Sequence, residues 1–146
     1  RFLLAVQRHP ADAVVRLTAD CPMLDPALIG QVVALWRAAP DQDYVATTLV
    51  RTLPRGLDVE LATAGALRRV SATATGHHRT HVTSGLYADP AAYRLTGVVV
   101  SPAADDLRVT LDTADDAALL GAVAAELGDR PPAWREVVAL LRDRPD

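Results

Sequence analysis

Two aspartates, Asp20 and Asp112, each follow a segment that reads as a β-strand. In open α/β sheets, ligands collect just outside the carboxyl ends of the strands. Two carboxylates brought together there repel one another unless a cation lies between them. Mg2+ is the expected cation, because it takes hard oxygen ligands and is usually held by one or two carboxylates together with substrate phosphates. On spacing alone, both residues could equally cap helices or close turns, and that alternative stays open. His77, His78 and His81 form a second concentration of chemistry. On one continuous helix His77 and His81 would share a face at i, i+4, a spacing that can hold zinc. The accompanying Glu and a third ligand are both wanting, so a solvent-exposed or substrate-facing helix face is expected instead. Cys21 adjoins Asp20, whose charge raises a thiol pKa, and reads as a packing residue.

The elements that must position these groups follow from periodicity and punctuation. Phe2, Leu3, Leu4 and Val6 form an apolar stripe on a short helix stopped by Pro10. Residues 13–18 read as a strand that delivers Asp20. Asp25-Pro26 starts a helix with an acceptor at the N-cap and Pro at the first helical position. Its inward face should carry Leu28, Ile29, Val32, Val33 and Trp36. Residues 43–48 and 57–61 suggest two further strands, separated by a loop with Arg51, Pro54, Arg55 and Gly56. Residues 64–70 and 77–87 read as helices, and 93–100 and 107–111 as strands, the last delivering Asp112. Thr113 and Asp116 have the spacing of a capping box, and Gly128 is a natural helix stop. After a short linker-like stretch, 128–132, a last helix should bury Trp134, Val137, Val138 and Leu141. Strands alternating with helices predict a layered α/β domain, 1–146, with a mostly parallel sheet and flanking helices.

Composition narrows the function classes. The net charge is −3 and all 15 basic residues are arginine, with no sign of the basic face that nucleic-acid binders carry. No apolar run approaches the ~18–20 residues of a membrane span. A single cysteine excludes an internal disulfide framework and fits a reducing, cytoplasmic setting. The chain opens on Arg1, in what reads as a helix already under way, and is expected to be the C-terminal part of a larger domain.

The wording around the aspartates is more specific than their spacing. Arg16-Leu17-Thr18-Ala19-Asp20-Cys21-Pro22-Met23-Leu24-Asp25-Pro26 resembles a signature of cytidylyltransferases, and more narrowly of their spore-coat-polysaccharide and acylneuraminate branches. Three more stretches match in the same order. They are Asp43-Tyr44-Val45 through Arg51-Thr52 and Pro54 to Gly56-Leu57-Asp58-Val59-Glu60, then His81-Val82-Thr83, then Thr110-Leu111-Asp112-Thr113. The resemblance covers roughly residues 1–125. It implies a Rossmann-like nucleotidyltransferase fold, shared with many sugar-nucleotide glycosyltransferases (the glycosyltransferase-A type). It also implies an Mg2+-dependent enzyme that joins CTP to a sugar or sugar acid for surface polysaccharide, releasing pyrophosphate. Asp20 and Asp112 would then be the catalytic metal ligands, with Arg51, Asp58, Glu60 and His81 on the substrate side. The family's opening strand and Gly- and Arg-containing phosphate loop have no counterpart here, so the N-terminal part of the fold is expected to be missing. Half a sheet would leave a strand edge bare, making a homodimer the candidate assembly. Two other functions remain open: a metal-dependent glycosyltransferase of the same fold, and a non-catalytic remnant serving as a binding or oligomerisation module.

Overall fold

The computed structural model describes residues 2–128 and 130–144; Asp129, within the linker-like stretch, lies outside them. Helix α1 (Phe2–Arg8) leads into strand β1 (Ala13–Arg16), and α2 (Pro26–Ala38) into β2 (Tyr44–Ala46). Strand β3 (Glu60–Thr63) is followed by α3 (Ala64–Thr73) and two single helical turns, α4 (His77–Thr80) and α5 (Ser84–Tyr87). Strand β4 (Leu95–Gly97) and helices α6 (Ala114–Leu127) and α7 (Trp134–Asp143) complete the chain.

The sheet has the order β1-β3-β2-β4. Strand β3 pairs antiparallel with both β1 and β2, while β2 and β4 are parallel. Three strands therefore run the same way and β3 runs against them, making the sheet mixed. The two-residue repeat of the strands sorts its faces. Val15, Val45 and Leu61 pack with Leu28 and Val32 of α2 and with Leu120, Val123, Trp134 and Val137 of α6 and α7. Val14, Tyr44, Ala46 and Ala62 face the other way, against Leu67 and Val70 of α3, Leu86 of α5 and Leu3 of α1.

The helix signals hold. Asp25 caps α2 with Pro26 at its start. Thr113 and Asp116 form a reciprocal capping box on α6, and Gly128 at φ 80° ends that helix. Asp25 also does something its sequence position does not announce. One carboxylate oxygen accepts from the Ala27 amide at 2.7 Å and the other from the Trp134 amide at 2.9 Å. One buried side chain thus caps α2 and fastens the start of α7 to it. Asp25→Ala leaves two buried amides unpaired and is expected to cost about 2–4 kcal/mol. Asp25→Asn, which keeps one acceptor, should cost less. Urea unfolding reads this out, and an unchanged midpoint in the alanine variant would dismiss the double role.

Two expected elements are corrected. The 107–111 strand reduces to one parallel bridge between Arg55 and Arg108. Arg55 donates to the Leu107 carbonyl at 3.0 Å, and Val109 donates to the Arg55 carbonyl at 2.7 Å. The ladder goes no further because Pro54 has no N–H and Gly56, at φ 106°, turns away. Asp112 therefore follows a bridged extended segment rather than a full strand. The 77–87 helix is broken between His81 and Thr83, where the Ser84 hydroxyl donates to the His81 carbonyl at 2.6 Å and competes for a helical acceptor.

Candidate functional site

A polar cavity of ≈ 650 Å³ opens beyond the carboxyl end of β1. Four chain segments line it: Arg16 at the end of β1 with Thr18 and Asp20 beyond it; Thr48, Leu49 and Arg51 after β2; Asp58 and Glu60 entering β3; and His81, Thr83 and Tyr87 around α4 and α5. Five of the six residues singled out from the sequence lie there: Asp20, Arg51, Asp58, Glu60 and His81. Asp112, the sixth, is not in the lining. It is nonetheless a neighbour, since the Leu111 amide donates to the Asp20 carbonyl at 2.8 Å. Its carboxylate is ion-paired with Arg108, which also bonds Asp116 of the capping box.

Asp20 is exposed and its carboxyl is held below the ordinary range, first by a hydrogen bond from the Thr18 hydroxyl. Its own amide, the Cys21 thiol and the charge of Arg16 add to this, against a desolvation that works the other way. Asp20 thus presents a full negative charge at the cavity wall at neutral pH. Cys21 is buried, and burial pushes its thiol up, with the charges of Asp20 and Asp58 adding. Thiolate chemistry is suppressed there and the side chain packs, as expected from the sequence.

Arg51 and Asp58 form a two-pronged pair, 2.7 and 3.1 Å, which raises the arginine pKa further. Glu60 accepts from Arg16 through one oxygen and from the Tyr44 hydroxyl through the other. Tyr44 is fully buried, and its phenol is pushed far up by burial, with the nearby Glu60 charge adding. The phenol therefore stays protonated and donates. The rings of His77 and His81 stack with centroids 4.4 Å apart at 29°. Imidazole lone pairs lie in the ring plane, so stacked rings do not converge on a metal. His78 Nδ1 contacts the Ser84 hydroxyl at 2.7 Å; that hydroxyl already donates to the His81 carbonyl, so His78 is the donor.

Among the described residues no group of three or more His, Cys, Asp or Glu is arranged to hold a metal ion. Among the described residues such a site could therefore draw on a pair of carboxylates, the donor number Mg2+ accepts when substrate oxygens supply the rest. Among the described residues no helix is long and apolar enough to cross a membrane. Sequence reasoning gave no role to Arg16, Thr18 or Tyr87. The first is set by tertiary pairing: in the register of β1 with β3, Arg16 falls directly opposite Glu60.

No family model matches the chain. It is similar to the spore coat polysaccharide biosynthesis protein SpsF of Bacillus subtilis, with 29% identity over 153 residues, covering 100% of this chain and 61% of that protein. Among solved structures it is similar to a cytidylyltransferase from Leptospira borgpetersenii, with a TM-score of 0.93 and 20% identity over 99% of this chain and 61% of that one. The chain thus spans 61% of the length of each. The α/β fold is that of the cytidylyltransferase, and both likenesses agree with the family resemblance carried by the four motifs.

Proposed function

We propose that this chain supplies the metal and sugar side of a cytidylyltransferase-like site. The acceptor is a sugar or sugar acid destined for surface polysaccharide, and the setting is the cytoplasm. A hydroxyl oxygen of the acceptor bonds to the α-phosphorus of CTP while the α–β bridge breaks. The products are a CMP-sugar and pyrophosphate, and the hydroxyl proton passes to solvent. One observation supports this above others: segments far apart in sequence, each matching a motif of the family, meet at one polar cavity.

Within that reading Asp20 and Asp112 are the proposed ligands of Mg2+, which when bound offsets the charge of the triphosphate and of the departing pyrophosphate. The residues present fit the ion in kind. Asp20 is ionised and exposed, and Asp112 lies next to it along the Leu111–Asp20 hydrogen bond. The Asp112–Arg108 pair is half-exposed, and such pairs are weak enough to yield to a divalent cation. Arg51, stiffened by Asp58, shapes the wall for an acceptor, and His81 is held at the rim by its stack on His77 and by Ser84. Such reactions depend on positioning and charge stabilisation far more than on covalent help from the protein.

The test is pyrophosphate release by the whole protein. Release is expected only when CTP, Mg2+ and a sugar acceptor are all present, and chelation should stop it. Consumption of a nucleotide-sugar without any use of CTP would instead assign a glycosyltransferase. A folded protein that binds ligand but turns over neither would mean a non-catalytic module.

A further inference from the structure

The cavity holds two arginines with different commitments. Arg51 is held in a two-pronged pair, one hydrogen bond from each terminal nitrogen to the two oxygens of Asp58, so that a full fork edge is turned to that carboxylate. Arg16 is not. Among the described residues its guanidinium makes one hydrogen bond, from Nη1 to Glu60. A guanidinium has five N–H donors in a rigid fork suited to carboxylate and phosphate oxygens. The Arg16 side chain lines the cavity and is 30% exposed, so the remaining donors are within reach of a ligand.

Glu60 is the opposite case. Its side chain is 7% exposed, and its two oxygens are taken by Arg16 and the Tyr44 hydroxyl. A buried carboxylate is tolerated only when it is paired and hydrogen-bonded, and this one is satisfied from within the protein. The sheet register builds the arrangement. Arg16 and Ala46 both face Glu60 across β3, and Tyr44 stands two residues before Ala46 on the same face. Glu60 therefore has little left to offer a substrate; its contact is with the arginine.

We propose that Arg16 is the oxyanion-binding residue of this cavity and that Glu60 is its positioning residue, the ligand group being a carboxylate or a phosphate. The inference deepens the transferase reading, where the oxyanion has two sources: the acid group of a sugar acid or the phosphates of CTP.

Matched pairs of probes separate these sources. Binding of glucuronate against glucose, and of CTP against cytidine, would be measured calorimetrically with Mg2+ present. Arg16→Gln is expected to weaken one anionic probe about tenfold or more, while leaving its uncharged partner within roughly twofold. Loss confined to glucuronate identifies a sugar carboxylate, and loss confined to CTP identifies phosphate. Because Arg16→Gln strands Glu60, the double variant Arg16→Gln/Glu60→Gln removes the buried charge and should show the same selective loss in a folded protein. Glu60→Ala should weaken the same probe, and Glu60→Gln, which can still accept from Arg16, should restore most of it. The assignment fails if both folded Arg16 variants hold the anionic probes as tightly as the wild type does. It fails equally if the wild type prefers neither anionic probe to its uncharged partner. Arg16-dependent binding without pyrophosphate release would overturn the transferase reading alone. Turnover that ignores Arg16 would overturn only this inference.

Discussion

Gly56→Ala is expected to destabilise the fold by about 3 kcal/mol or more and to lower the melting temperature by roughly 10 °C. Two effects coincide at this residue. Its φ of 106° lies where side chains are rarely tolerated, and a Cβ there would sit 2.6 Å from the Val109 carbonyl carbon, 2.7 Å from its oxygen and 2.8 Å from the Thr110 nitrogen. All three are backbone atoms, so no side-chain rotation relieves the clash. Relief would require the 107–111 segment to move away from Arg55, breaking the 2.7 and 3.0 Å hydrogen bonds that hold it. That segment leads to Asp112 and, through the Leu111 amide, braces Asp20, so ligand binding should fall with stability. Gly121, in the middle of α6 with open space around it, is the control. Gly121→Ala should raise stability by up to about 1 kcal/mol. Thermal melts of both variants check the pair, and a Gly56→Ala melt within roughly 2 °C of the wild type would contradict the close approach.

Asp20→Asn is expected to reduce pyrophosphate release about a hundredfold or more while leaving the melting temperature nearly unchanged. The substitution keeps the shape and removes the charge. Asp20 is exposed, and the amide oxygen of an asparagine there can still accept from its partners, the Thr18 hydroxyl, its own amide and the buried Cys21 thiol. The fold therefore loses little. The proposed reaction loses an anionic ligand for Mg2+, and charge stabilisation of several kcal/mol is worth a factor of ten for each 1.36 kcal/mol. Asp112→Asn should act in the same direction. It releases Arg108 from an exposed pair, at little cost to stability. Full turnover by Asp20→Asn, measured at saturating Mg2+, would remove the metal assignment; a matching fall in stability would mean that Asp20 is structural.

Much of this chain could be read without coordinates, for a physical reason that recurs. Helix ends are decided within a few residues, so Asp25-Pro26, Thr113 with Asp116, and Gly128 announced α2 and α6 correctly. Strands alternating with helices announced a layered α/β domain, and the structure shows which strand residues face each of its two apolar clusters. The motif wording brought Asp20, Arg51, Asp58, Glu60, His81 and Asp112 forward as a group, and the cavity lining gathers the first five but not Asp112. Long-range pairing was not legible. Whether 107–111 forms a strand depends on Pro54 and Gly56, more than fifty residues away, which limit it to a single bridge. The 77–87 segment looked helical by periodicity, and the Ser84–His81 contact divides it. Asp112 stood out by position, yet its ion pair with Arg108 follows from how the capping box turns the chain. The row of Arg16, Glu60 and Tyr44 depends on the register of three strands, and a shift by one residue would send Glu60 to the opposite face. Local chemistry fixed which residues could act; tertiary pairing decided which of them face the cavity and which are already held by the protein.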